Sequence, residues 1–124
     1  MENYSVCVIE DNIPIRKLYV TLLKKSGFVT YDFGDGGSAL NWLKSNKVNG
    51  IIMDILLPDI NGNDLVKLVK ELDNHKNTLV CAITGFAQEH DKAKFLNDGF
   101  AHYLSKPINT ATFVEDIKTM FNLK

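Results

Sequence analysis

Short apolar runs alternate along this chain with amphipathic stretches of helical spacing, and that alternation leaves few folds open. It is the pattern of βα units wound into a parallel sheet. Strands are expected at Ser5–Ile9, Phe28–Phe33, Gly50–Asp54, Thr78–Thr84 and Ala101–Ser105. Helices are expected at Pro14–Ser26, Ser38–Ser45, Asn63–Asp73, Gln88–Asn97 and Thr110–Asn122. Pro14 suits a first helical turn and Gly27 a stop, while Ile15, Leu18, Tyr19, Leu22 and Leu23 form one apolar stripe between them. Gly50–Asp54 is nearly all apolar, as a strand covered on both faces should be. The reading is an α/β chain of (βα)₅ type, without repeats or linkers.

At 124 residues the chain has the size of one domain, and it stops within three residues of its last expected helix, so a single domain is expected. Fourteen basic against fifteen acidic residues leave no basic surface for nucleic acid. The longest apolar run, Leu79–Ile83, falls far short of the roughly 20 residues that cross a bilayer. Met1-Glu2-Asn3 opens no secretion signal, so a cytoplasmic protein is expected. Cys7 and Cys81 lie inside apolar runs without CxxC spacing and read as reduced core residues. His75, His90 and His102 have no metal-ligand spacing and read as surface residues.

The chemistry gathers where the strands end. Asp54 closes one run, Glu10 and Asp11 follow another, Thr84 closes a third and Lys106-Pro107 follows a fourth. In open parallel sheets, ligands bind outside the carboxyl ends of the strands. Carboxylates converging there repel one another unless a cation sits among them. Mg²⁺ suits the set, because it takes oxygen ligands and keeps positions for water or phosphate. Asp11 and Asp54 are the expected direct ligands and Glu10 a water-mediated or orienting partner. Lys106 and the Thr84 hydroxyl would stabilise a phosphoryl group by position and charge.

These residues, with Pro58, Gly62 and Tyr103, make the chain resemble the receiver domain of two-component response regulators over essentially its whole length. The resemblance implies a flavodoxin-like, doubly wound parallel sheet with strand order 2-1-3-4-5. It implies that Asp54 accepts a phosphoryl group from a sensor histidine kinase or a phosphotransfer protein. Mg²⁺ would be held by Asp11, Asp54 and the backbone carbonyl of Leu56. Thr84 and Tyr103 would be the switch pair, remodelling a face of the fourth helix, fifth strand and fifth helix for a downstream partner. The family's Lys–Pro bond is commonly cis, which is the form expected at Lys106–Pro107.

Two departures from the family pattern carry expectations. Ala101 and His102 stand where many transcription-factor receivers have two acids, and the last helix has no arginine, so a monomer, or a dimer through some other surface, is expected. Leu56 and Phe86 flank the expected path of the hydrolytic water; bulky and apolar, they predict slow loss of phosphate. Met1 favours a stand-alone protein over a segment of a hybrid kinase or longer regulator. An aspartyl-phosphate phosphatase would need a second aspartate where Leu56 stands, and a degenerate binding module would lack an acid or the lysine. An FMN carrier would need a Ser/Thr/Gly-rich loop after the first strand.

Overall fold

The computed structural model describes residues 4–85 and 92–123. Five parallel strands, β1 (Ser5–Ile9), β2 (Val29–Phe33), β3 (Gly50–Asp54), β4 (Leu79–Thr84) and β5 (His102–Ser105), form one sheet in the order β2-β1-β3-β4-β5. Five helices connect and cover them: α1 (Ile13–Lys25), α2 (Gly36–Leu43), α3 (Gly62–Glu71), α4 (Lys92–Asp98) and α5 (Phe113–Met120). The doubly wound (βα)₅ expectation and its strand order are both met. Among the described residues, no helix is long and apolar enough to cross a membrane.

The pleat sends alternate residues to opposite faces, and each face has its own core. Cys7, Ile9, Ile51, Met53, Val80 and Ala82 pack on one side against Ala39 and Leu43 of α2, Leu65, Val66 and Val69 of α3, and Phe95 of α4. On the other side, Val6, Val8, Ile52, Cys81 and Ile83 meet Tyr19 and Leu23 of α1 and Phe113, Ile117 and Met120 of α5. Every residue of β3 is buried, as its central place requires, whereas edge strand β2 leaves Val29 and Tyr31 exposed. Full burial of such apolar side chains contributes roughly 1.5–3 kcal/mol each. The sheet is therefore a rigid base for whatever its strand ends carry.

Element boundaries depart from the expectations for local reasons. Asn12 caps α1 by accepting from the Ile15 amide at 3.0 Å, so the helix begins one residue before Pro14. Asp35 caps α2 through the Ser38 amide at 2.7 Å, which draws Gly36 and Gly37 into the helix. Helix α5 begins at Phe113 rather than Thr110, because Asn109 holds the preceding turn through the Ala111 amide at 2.9 Å. Of the expected Gln88–Asn97 helix, residues 88–91, His90 among them, lie outside the described residues, as does Phe86.

Two expectations fail. Leu18, assigned to the inward stripe of α1, is 38% exposed, because α1 turns only Tyr19 and Leu23 fully into the core. His75, read as a surface residue, is completely buried in a 3₁₀ turn (Asp73–His75) between α3 and β4. Its Nε2 bonds the Leu43 and Asn46 carbonyls at 3.0 and 2.9 Å, which assigns the proton to that nitrogen, and its Nδ1 lies 3.0 Å from the Thr78 hydroxyl. His75 thus ties the end of α2 to the start of β4.

Candidate functional site

Register decides which residues share the end of the sheet. Ile9 lies opposite Met53, Asp54 opposite Ile83 and Thr84 opposite Ser105, so Glu10, Asp54, Thr84 and Lys106 finish nearly level. The Lys106 amide extends the ladder by donating to the Thr84 carbonyl at 2.9 Å. The Lys106–Pro107 peptide bond is cis. Glu10, Asp54 and Thr84 are all buried, Asp11 is exposed at the mouth, and carboxylate oxygens of Glu10, Asp11 and Asp54 lie within 4.8 Å of one another.

Lys106 anchors this cluster. Its Nζ donates to Glu10 Oε1 at 2.7 Å and to Asp54 Oδ2 at 3.0 Å. Burial works against the lysine's charge, but the bonds to Glu10 and Asp54 outweigh it and hold its pKa above the ordinary value. Glu10 goes the same way for a different reason: burial raises its pKa, and the bonds from Lys106 and from the Asn12 amide, at 3.1 Å, only partly offset that. Tyr19, behind the pocket, is pushed up to about 12, chiefly by burial.

Charge and donor type both fit a divalent cation. Three carboxylates against one ammonium leave the pocket with two negative charges in excess. All the donors are oxygens, the preference of Mg²⁺. Glu10 already turns one oxygen to Lys106 and the other to the Asn12 amide, the posture of an orienting group. Asp54 Oδ1 takes the Leu56 amide at 3.3 Å, which curls the next loop back over the pocket. That loop closes where the Gly62 amide donates to the Ile55 carbonyl at 2.7 Å. Only glycine fits at 62, since a Cβ there would stand 2.7 Å from the Asp54 carbonyl oxygen.

The other expected residues scatter around this centre. Tyr103 lies half-buried on β5 with its ring 5.5 Å from that of Phe95, and lines a groove of about 240 Å³ with Phe95, Leu96, Ala101 and His102. Leu56 is 56% exposed; Phe86 lies outside the described residues.

Sequence reasoning missed Arg16 and Asp59. Arg16 donates from Nη1 to the Glu10 carbonyl at 2.9 Å and pairs through Nε with Asp32 at 3.1 Å. Asp59 accepts from the Gly36 and Gly37 amides. The one available signal was a glycine pair opening a helix, and its partner lies more than twenty residues away. An apolar groove of about 310 Å³, lined by Ile15, Leu18, Tyr19, Lys106, Pro107 and Ile108, also opens beside the pocket.

Residues 6–118 match the model of the response regulator receiver domain. The polar-differentiation response regulator DivK of Brucella anthropi is 35% identical over 115 residues, covering 93% of this chain and 94% of that protein. Among solved structures, the chemotaxis response regulator CheY4 of Vibrio cholerae superposes with a TM-score of 0.91 at 24% identity, covering 95% of this chain and 98% of that one. The receiver domain of the sensor histidine kinase PA1611 of Pseudomonas aeruginosa, solved with magnesium in its active-site cleft, superposes at 0.86 and 22% identity, covering 97% and 98%. The sheet order, the strand-end acids and these matches agree: the chain belongs to the response regulator receiver domain family.

Proposed function

We propose that this receiver takes a phosphoryl group onto Asp54 from the phosphohistidine of a sensor kinase or phosphotransfer protein, in the cytoplasm, and passes the change to a partner as a monomer. The observation that carries the reading is the convergence of Glu10, Asp11 and Asp54 with Lys106 bonded to two of them. Asp11, Asp54 and the Leu56 carbonyl would hold Mg²⁺, with Glu10 acting through water, as the magnesium-bound Pseudomonas receiver encourages. Bound there, Mg²⁺ supplies positive charge to phosphoryl oxygens. Lys106 is the second cation, and its bond to Asp54 keeps it at hand when a new anion forms there.

A bulky donor must reach Asp54 from outside, and the apolar groove beside Lys106, lined by Ile15, Leu18, Pro107 and Ile108, supports its docking. The output surface in this reading is the groove between α4 and β5. Thr84, buried at the end of β4, turns toward the phosphoryl group, and the Tyr103 ring follows it inward. Leu56 and Phe86 offer the hydrolytic water no hydrogen bond, so the phosphoprotein is long-lived.

Intact-mass spectrometry after incubation with acetyl phosphate tests the proposal. Wild type is expected to gain one phosphoryl group only when Mg²⁺ is present, and to remain monomeric by light scattering. Asp54→Asn is expected to gain none. Equal labelling of Asp54→Asn, or labelling of wild type in excess chelator, would reject it.

A further inference from the structure

The turn from Phe33 to Gly37, between β2 and α2, contributes nothing to the pocket itself, yet both acidic loops are tied to it. On one side, the Glu10 amide donates to the Phe33 carbonyl at 3.0 Å. Arg16 braces the same loop from α1, passing so close to Gly34 that a Cβ there would stand 2.5 Å from Nη1. On the other side, Asp59 sits at the tip of the loop that follows Asp54. Its Oδ1 accepts from the Gly36 amide at 2.9 Å and its Oδ2 from the Gly37 amide at 2.8 Å.

These amides belong to the first turn of α2, where backbone donors have no helical partner and negative charge is favoured. A carboxylate that accepts two parallel N–H groups is fixed in direction as well as distance. The two bonds hold the Asp59 pKa below the ordinary aspartate value. Ile60 adds a contact, because a Cβ on Gly36 would overlap its Cγ2. The base of the loop is closed separately by the Gly62–Ile55 bond and the Leu56–Asn61 bridge. Among the described residues, Asp59 alone ties the tip, residues 57–60, to another element by hydrogen bonds.

We propose that Asp59 is a positioning residue for the Mg²⁺ site: by clamping its loop to the start of α2, it sets where the Leu56 carbonyl stands relative to Asp11 and Asp54. The inference rests on the metal reading given above and adds a residue to it. Asp59 is itself exposed, so its loss acts on the site more than on global stability. Outer partners that orient metal ligands change affinity by about 10–100-fold when removed.

Three variants separate positioning from folding. Asp59→Asn replaces one acceptor oxygen with a donor facing an N–H. Asp59→Glu keeps both acceptors. Gly37→Ala leaves the acid alone but places a methyl 3.0 Å from its Oδ2. Mg²⁺ affinity is read by calorimetry and the acetyl phosphate labelling rate is followed against Mg²⁺ concentration. Asp59→Asn is expected to raise the Mg²⁺ dissociation constant about tenfold while the rate at saturating Mg²⁺ is kept. Gly37→Ala is expected to shift it the same way by less, and Asp59→Glu to restore part of it. Wild-type Mg²⁺ affinity in both folded Asp59→Asn and Gly37→Ala would overturn the inference and leave the function standing. A wild type that binds no Mg²⁺ would overturn both.

Discussion

Lys106 and Glu10 show how the pocket is balanced at the level of single residues. Burial penalises charge on Glu10, and Lys106 supplies the nearest compensation while also holding Asp54. A phosphoryl group on Asp54 would compete for that same ammonium, which gives the new anion a reason to rearrange its surroundings. Leu56 stands at the pocket mouth, where a side chain able to hold water would change the lifetime of the phosphoryl group. Leu56→Asn is expected to speed phosphate loss from the purified phosphoprotein about tenfold, since its amide oxygen can accept a hydrogen bond from the attacking water and orient it, which leucine cannot. An unchanged half-life would remove Leu56 from the account. Asp54, Lys106 and Thr84 were legible in the sequence because each ends an apolar run at a strand terminus. Arg16 and Asp59 were not: Arg16 meets the Glu10 carbonyl and the Asp32 carboxylate, Asp59 meets two backbone amides of α2, and neither set leaves a residue pattern behind.

At the scale of elements, the helices differ in how they are held. Helix α4 carries Phe95 into the core but leaves Leu96 49% exposed, so apolar contact alone fixes it weakly. Its end is latched instead: the Asp98 carboxylate accepts from Asn63 at 2.8 Å and pairs with Lys67 at 3.3 Å and Lys94 at 3.2 Å. Burial raises the Asp98 pKa, but the bonds from Asn63, Lys94 and Lys67 prevail and hold it below its ordinary 3.8. A depressed carboxylate pKa stabilises the fold above the unfolded value and ceases to do so as pH falls through the folded one. Asp98→Asn is therefore expected to cost about 1 kcal/mol at neutral pH in urea unfolding, with faster amide exchange in α4, and the gap should close as pH falls below 3.8. A gap that persists in acid would place the effect elsewhere. The latch was invisible in sequence, since Asn63 and Asp98 lie 35 residues apart. Buried His75 was missed for the same reason: its partners are carbonyls of residues 43 and 46.

For the whole molecule, alternation of apolar strands with amphipathic helices was sufficient to predict five βα units, because parallel strands buried on both faces have a distinctive composition. Helix orientation was less legible. An apolar stripe such as that of α1 reads alike whether its residues face the core or a partner, and Leu18 proved to face out. The resulting body has an acidic end where four strands finish nearly level and a grooved side between α4 and β5, with Thr84 at the first and Tyr103 at the second. In the reading proposed above, charge placed on Asp54 is read on that side. The direct measurement is the amide NMR spectrum of the labelled protein before and after adding Mg²⁺ with beryllofluoride, which mimics the phosphoryl group. Shifts are expected at Asp11, Asp54 and Lys106 and onward through Thr84 and Tyr103 into α4, and in Thr84→Ala they should stop at the pocket. Shifts that stay within the pocket in the wild-type protein would contradict coupling between Asp54 and α4.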